Sequence, residues 1–133
     1  MLIDKVNELR NKENFSILFA EDEMMVSKPM QDILKRLCND VVVTYDGLEA
    51  WEIYQQRDFT IVVTDLQMPN MNGAELVEKI RTASKPNQII IVVTAFREGW
   101  EYEQVKSLNA DVILQKPFSL QAFLEAVTSL EIK

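Results

Sequence analysis

The chain has 133 residues, of which 14 are Lys or Arg and 21 are Asp or Glu, so its formal net charge is −7. A chain of this length builds one sizeable core, which predicts a single globular domain and places any output domain in another chain. The acidic balance excludes nucleic-acid or membrane-surface binding by bulk electrostatics. The longest apolar run, residues 89–93, falls far short of the roughly 18 residues needed for membrane insertion.

The cysteine and histidine content excludes further classes of chemistry. The single cysteine, Cys38, cannot form an intramolecular disulfide, and the N-terminus lacks a signal-peptide pattern, so we expect a reducing, cytoplasmic compartment. Because the sequence has no histidine, histidine triads, histidine metal sites and phosphohistidine intermediates on this chain are excluded. Its chemistry must use carboxylates, lysine and hydroxyl groups.

The predicted elements begin with an N-terminal extension. Residues 1–14 are mostly charged, with Leu2, Val6 and Leu9 at helical spacing. We interpret them as a short amphipathic helix or a linker, followed by one domain of residues 15–133.

Five short apolar runs then recur at intervals that leave room for a helix between them. They cover residues 17–19, 41–44, 60–64, 89–94 and 111–115. Their apolar residues are continuous rather than alternating, which is typical of strands covered on both faces in a parallel sheet. The pattern therefore predicts the α/β fold class.

Apolar residues at helical spacing fill the intervals between these runs. The helix after the last run shows this best, with Ser119 as its predicted N-cap. In the first interval Pro29 has no N–H to donate to Met25, which predicts a helix that either starts late or kinks. Further helices are predicted over residues 47–56, 73–83 and 99–108.

Chemically active side chains stand where the predicted strands end. Glu21 and Asp22 follow the first strand and Asp65 ends the third. Thr94 ends the fourth strand and Lys116 follows the fifth. Ligand sites in open parallel sheets lie outside the carboxyl ends of the strands, so these side chains are expected to converge. Each alone is explained as a solvated loop residue, but their joint placement favours a functional site.

This set of residues suits phosphoryl chemistry with a divalent cation. Carboxylates ~4 Å apart repel by about 4 kcal/mol at an effective dielectric constant of 20, so the pocket is expected to recruit a cation. Mg²⁺ is favoured because it takes few protein carboxylates and leaves positions for phosphate oxygens. Asp22 and Asp65 are the expected direct ligands, with Glu21 acting through water. Lys116 would neutralise one phosphate oxygen, and Thr94 would donate a hydrogen bond to another.

Five stretches of the sequence have the order and spacing of a known family. They are ILFAEDE, DGLEA, IVVTDLQMPNMNG, IIVVTA and QKPF, and the similarity covers about residues 15–130. The chain resembles the receiver domain of two-component response regulators, in particular the chemotaxis regulators. The resemblance implies a flavodoxin-like, doubly wound sheet of five parallel strands, in the order 2-1-3-4-5, with five helices.

The resemblance also implies roles for individual residues. Asp65 would accept a phosphoryl group from a histidine kinase or a histidine phosphotransfer protein. The backbone carbonyl of Gln67 would be a metal ligand, Thr94 the switch hydroxyl and Lys116 the phosphate-contacting lysine. The bond between Lys116 and Pro117 would be cis. The domain would be a phosphoacceptor switch that catalyses only its own phosphorylation and dephosphorylation, and it would act on an unknown downstream protein or a linked output domain.

Two positions depart from the family pattern. Ile113 stands where the family often has a Tyr or Phe ring that rotates inward as Thr94 moves, so activation is expected through Thr94 and the following loop alone. Phe96 stands where relatives often have a polar or charged residue, and its bulk is predicted to hinder water and prolong the life of the acyl phosphate. The alternative is that Phe96 points into the adjacent helix and leaves the approach open.

Three other interpretations of the strand-end acids compete with a receiver. A phosphatase of the haloacid-dehalogenase type needs a second acid two residues after the nucleophile, where Gln67 stands. A flavodoxin-like mononucleotide-binding protein needs a glycine- or hydroxyl-rich loop after the first strand, where the acidic residues 21–23 would repel phosphate. A pseudo-receiver that is never phosphorylated would not need an acidic pair, a phosphoacceptor, a hydroxyl and a lysine together. The sequence keeps all of them, including Asp22, Asp65, Thr94 and Lys116. Whether the receiver is free-standing or belongs to a hybrid sensor kinase or multidomain regulator stays open.

Overall fold

The computed structural model describes residues 2–83, 87–95, 98–116 and 119–130, and for residues 2, 3 and 5 only the backbone. Helices and strands alternate along this part of the chain. The helices are α1 (Leu2–Arg10), α2 (Met24–Leu37), α3 (Gly47–Tyr54), α4 (Gly73–Thr82), α5 (Trp100–Ser107) and α6 (Leu120–Thr128). The strands are β1 (Ser16–Ala20), β2 (Asp40–Thr44), β3 (Ile61–Asp65), β4 (Ile89–Thr94) and β5 (Val112–Gln115).

The strands form one parallel sheet in the order β2-β1-β3-β4-β5. The central strands are in register, because Ile17 pairs with Ile61 and Ile61 pairs with Ile89. The carboxyl ends of the strands therefore meet along one edge. The predicted α/β class and the strand order 2-1-3-4-5 are confirmed, and α1 is added to the five helices of the predicted domain.

Each face of the sheet is covered by its own apolar layer. Leu18 and Val62 lie in the layer shared with α3, α4 and α5, whereas Phe19 and Val63 lie in the layer shared with α2 and α6. Successive side chains of a strand point to opposite faces, so a central strand such as β1 is buried at all five of its residues. This explains why the apolar runs are continuous.

Residues at and near the first turn determine where the helices start. The side chain of Ser119 accepts a hydrogen bond from the N–H of Ala122 at 3.0 Å, which confirms the predicted N-cap of α6. Of the two alternatives predicted for α2, a late start or a kink, the late start is wrong, because the helix begins at Met24 and runs through Pro29. The bond that Pro29 cannot make is to the carbonyl of Met25, a residue that is 92% exposed, so water can replace the missing donor.

The N-terminal extension is packed against the domain. Helix α1 lies against α2 and α6, and Val6 and Leu9 contact the apolar layer beneath them. The Nη1 atom of Arg10 donates hydrogen bonds to the carbonyl oxygens of Lys35 at 3.1 Å and Arg36 at 2.7 Å. Both carbonyls belong to the last turn of α2, where no N–H of the helix is available to them. Arg10 therefore joins α1 to the end of α2.

None of the helices in the described ranges combines the length and the apolar character required to cross a bilayer.

We expect Arg10→Ala to lower the thermal unfolding midpoint. Removing hydrogen bonds from a charged donor to exposed carbonyls costs about 1 kcal/mol, which corresponds to roughly 3 °C for a domain of this size. Thermal unfolding followed by circular dichroism measures the shift, and Lys28→Ala, which removes a positive charge from an exposed position of α2, is the control. An unchanged midpoint for Arg10→Ala would mean that α1 does not hold the end of α2 in solution.

Candidate functional site

The strand register brings the predicted site residues to one edge of the sheet. Asp65 at the end of β3 pairs with Val93, one residue before Thr94 at the end of β4. The backbone N–H of Lys116 donates to the carbonyl oxygen of Thr94 at 2.8 Å. Glu21 directly follows β1, which pairs with β3 on the side away from β4. Its N–H donates to the carbonyl oxygen of Thr44 at the end of β2. The sheet alone thus places the acids, the lysine and the threonine side by side.

Three carboxylates meet at this edge. Glu21, Asp22 and Asp65 each offer an oxygen, and these three oxygens lie within 4.8 Å of one another. Glu21 is almost fully buried, while Asp22 and Asp65 are half-buried. The Oδ1 atom of Asp65 accepts a hydrogen bond from the N–H of Leu66 at 2.8 Å, which fixes the direction of this carboxylate.

Lys116 supplies the positive charge of the cluster. Its Nζ atom donates to Oε1 of Glu21 at 2.6 Å and lies 3.5 Å from Oδ2 of Asp65. The ammonium group therefore lies between Glu21 and Asp65. With every group ionised, three carboxylates and one ammonium leave a formal charge of −2 on the cluster.

Burial and the neighbouring charges together shift the pKa values of the cluster. Burial raises the pKa of Glu21 to about 7, with a further rise from the charge of Asp65 and an opposing effect from the bond to Lys116. Burial also raises the pKa of Asp65. Burial disfavours the charged form of Lys116, but its hydrogen bond to Glu21 and the charges of both acids outweigh this and raise its pKa. Glu21, Asp65 and Lys116 consequently hold protons more tightly than isolated side chains would.

The donor set fits a hard divalent cation. Carboxylate oxygens are the ligands that Mg²⁺ prefers, and the ion needs only one or two of them because it keeps several waters. A cation between the three carboxylates would also offset the burial of these anions and the repulsion of Glu21 by Asp65, which raise the pKa of Glu21. The acidic cluster is thus chemically suited to Mg²⁺.

The other predicted site residues differ in their exposure and in the elements that carry them. Thr94 is buried at the end of β4, and Gln67 is exposed in the loop between β3 and α4. Ile113 is half-buried in β5 and packs against the apolar layer beneath α4 and α5. Phe96 and the predicted cis bond before Pro117 lie outside the described residues.

Comparison of the sequence with known proteins identifies its family. Residues 17–128 match the response regulator receiver domain family. The chain belongs to this family. Over 114 residues the receiver is 35% identical to the chemotaxis protein CheY homolog of Campylobacter jejuni, which spans 82% of this chain and 86% of the relative. It is also 35% identical over 114 residues to the chemotaxis protein CheY1 of Helicobacter pylori, which spans 82% of this chain and 90% of the relative.

Solved structures share the fold of this receiver. A chain of the CheX–CheY–BeF3–Mg²⁺ complex from Borrelia burgdorferi matches it with a TM-score of 0.79 and 24% identity, over 90% of this chain and 90% of that chain. The predicted resemblance to chemotaxis-type receivers of two-component signalling is therefore confirmed. Receiver domains are phosphoacceptor switches that bind Mg²⁺ at an acidic pocket, which agrees with the cluster described above.

Two glycines of the receiver have a role that the sequence alone did not reveal. A Cβ atom on Gly73 would collide with the carbonyl oxygen of Asp65, and one on Gly47 would collide with that of Met71. Both glycines therefore allow the loop of residues 66–72 to pack closely against helix starts. The available signal was their rarity, since the chain has only three glycines and these two each begin a helix.

We expect Asp22→Asn to stabilise the metal-free receiver, because the substitution removes one of three mutually repelling carboxylates. A gain of about 1 kcal/mol would raise the thermal midpoint by roughly 3 °C in the presence of a chelator. Asp32→Asn is the matched control, since it removes the same charge from an exposed position of α2. A midpoint for Asp22→Asn below that of the metal-free parent would show that repulsion does not dominate the pocket.

Proposed function

We propose that this receiver accepts a phosphoryl group on Asp65 from a histidine kinase or a histidine phosphotransfer protein in the presence of Mg²⁺. Phosphorylation would change a surface that a downstream protein or a linked output domain recognises. The observation that carries the proposal is the position of Asp65, whose Oδ2 lies 3.5 Å from Nζ of Lys116 in a pocket that holds two further acids. Because Oδ1 is bonded to the N–H of Leu66, Oδ2 is the oxygen better placed to attack.

The transfer itself needs one bond to form and one to break. A carboxylate oxygen of Asp65 forms a bond to phosphorus, and the bond between phosphorus and the imidazole nitrogen of the donor breaks. The electron pair of that bond stays on the nitrogen of the donor. Alignment of the attacking and leaving atoms supplies most of the catalysis, since the phosphoryl group is already activated in the donor.

Lys116 and Thr94 would then stabilise the new phosphoryl group. Lys116 lies close enough to Asp65 to share its ammonium group between Glu21 and a phosphoryl oxygen. Thr94 would donate a hydrogen bond to another oxygen from the neighbouring strand. These contacts oppose the extra negative charge that phosphorylation brings to an acidic pocket.

Asp22, Asp65 and the backbone carbonyl of Gln67 would hold the Mg²⁺ ion, with Glu21 acting through water. When bound, the ion offsets the repulsion between the attacking carboxylate and the oxygens of the phosphoryl donor. The Borrelia complex that shares this fold contains BeF3 and Mg²⁺, which supports the proposal for this chain.

Phosphorylation of Asp65 is tested by mass spectrometry after incubation with an acyl phosphate donor and Mg²⁺. We expect the parent and Asp32→Asn to gain one phosphoryl group, and Asp65→Asn to gain none. A chelator should abolish the gain, because the reacting oxygens then repel each other. A phosphoryl group that persists in Asp65→Asn, or a parent that gains none, would contradict the proposal.

Activation would depend on Thr94 rather than on a rotating ring, because Ile113 has no polar tip to exchange between exposed and buried positions. Trp100 begins α5 after the loop that follows Thr94 and is 62% exposed, so its fluorescence can follow the change. In a Trp51→Phe background, we expect beryllofluoride with Mg²⁺ to alter this fluorescence and Thr94→Ala to suppress the response. A response of unchanged size in Thr94→Ala would mean that coupling takes another route.

A further inference from the structure

Asp46, the N-cap of α3, is bonded to the loop that follows the proposed phosphoacceptor. Its Oδ1 atom accepts a hydrogen bond from the N–H of Glu49 at 2.7 Å. Its Oδ2 atom accepts one from Nδ2 of Asn70 at 2.9 Å. A single carboxylate therefore joins the start of α3 to the loop of residues 66–72 between β3 and α4.

The backbone supports the same connection. Gly47, the first residue of α3, is so close to the carbonyl oxygen of Met71 that a side chain at Gly47 would collide with it. Met71 is itself buried. Asn70 has a φ of 68°, in the left-handed region that asparagine tolerates better than most residues. Asn70 thus presents its amide to Asp46 from a bend that is packed against α3.

The other end of the loop is fixed at Asp65. The N–H of Leu66 donates to Oδ1 of Asp65 at 2.8 Å, and the N–H of Gly73 donates to the carbonyl oxygen of Leu66 at 2.6 Å. Gln67 lies between this anchor and the one at Asn70. The position of its backbone carbonyl therefore depends on both anchors.

We infer that Asp46 is a positioning residue for the magnesium site, because it holds Asn70 and thereby fixes the carbonyl of Gln67 beside the acidic cluster. This inference rests on the proposed function, in which that carbonyl is a metal ligand. Asp46 touches neither the ion nor the phosphoryl group and acts through Asn70. The hydrogen bonds from Glu49 and Asn70 hold the pKa of Asp46 below its ordinary value, so its carboxylate is a charged and therefore strong acceptor.

Loss of this link should weaken metal binding more than it slows phosphorylation at saturating metal. A released loop samples conformations that do not bind, and the observed affinity falls by the fraction of time spent in them. Groups that orient metal ligands typically change metal affinity by about 10- to 100-fold. Because Asp46 acts through the backbone of an exposed loop, we expect a smaller effect, about three- to tenfold.

The first test is Asn70→Gly, which keeps the left-handed backbone but removes the donor. Isothermal titration with Mg²⁺ should give a dissociation constant about three- to tenfold above that of the parent. Phosphorylation by an acyl phosphate should be slower at limiting Mg²⁺ and equal to the parent at saturating Mg²⁺. Asn109→Gly is the matched control, since Asn109 is also exposed with a φ of 59° but lies between α5 and β5, and this variant should bind like the parent.

The second test exchanges the two partners. In the double variant Asp46→Asn with Asn70→Asp, the amide introduced at position 46 can still accept from the N–H of Glu49 and can donate to the carboxylate introduced at position 70. The double variant has the net charge of the parent and should recover an affinity close to it. Asn70→Asp alone sets two carboxylates against each other and should bind Mg²⁺ more weakly than the double variant.

Parent-like binding by Asn70→Gly would overturn the inference, because the link would then only cap α3. Failure of the exchange to restore affinity would overturn it too, since the loss would come from the backbone rather than from the hydrogen bond. Failure of the proposed function is seen separately, in the parent. A parent that neither binds Mg²⁺ nor gains a phosphoryl group on Asp65 removes the basis of the inference before any loop variant is compared.

Discussion

Repulsion among carboxylates held at short range organises the functional edge of this receiver. The parallel register places Glu21, Asp22 and Asp65 within 4.8 Å of one another, and the single ammonium of Lys116 does not balance them. A cation or a phosphoryl group therefore changes the charge balance of the whole cluster. Under the proposed function, this edge would give up stability of the metal-free fold for a response to phosphorylation, and Lys116 lies where it can exchange one acidic partner for another.

Much of the fold and of the acidic cluster was predictable from the sequence. Local apolar runs identify the strands, and parallel pairing then brings the residues that follow them to one edge of the sheet. Continuous apolar runs such as residues 89–94 marked strands buried on both faces. Once the strands are parallel, the residues that follow them must share one edge, so Asp65, Thr94 and Lys116 could be placed together. The cap of α6 at Ser119 was equally local, because a side chain and an N–H three residues later suffice.

Other features of the structure depend on hydrogen bonds between residues far apart in the sequence, which no pattern of apolar residues reveals. The bonds from Arg10 to the end of α2 join residues 25 or more positions apart, so the sequence left open whether the extension was a helix or a linker. The hydrogen bond between Asp46 and Asn70 spans 24 positions and likewise has no local signal, although both residues lie in stretches shared with the family. Pro29 does not delay the start of α2, which was one of the two predicted alternatives, because one missing hydrogen bond near a helix start costs little when water can replace it.

The most direct test of this account is the pKa of Glu21, measured by carboxyl carbon-13 NMR with and without saturating Mg²⁺. Burial, together with the charge of Asp65, predicts that Glu21 titrates near pH 7 in the metal-free receiver, against an ordinary value of 4.5, and Mg²⁺ should lower its pKa. A pKa close to 4.5 that Mg²⁺ leaves unchanged would contradict the claim that buried, unbalanced negative charge governs this edge of the sheet.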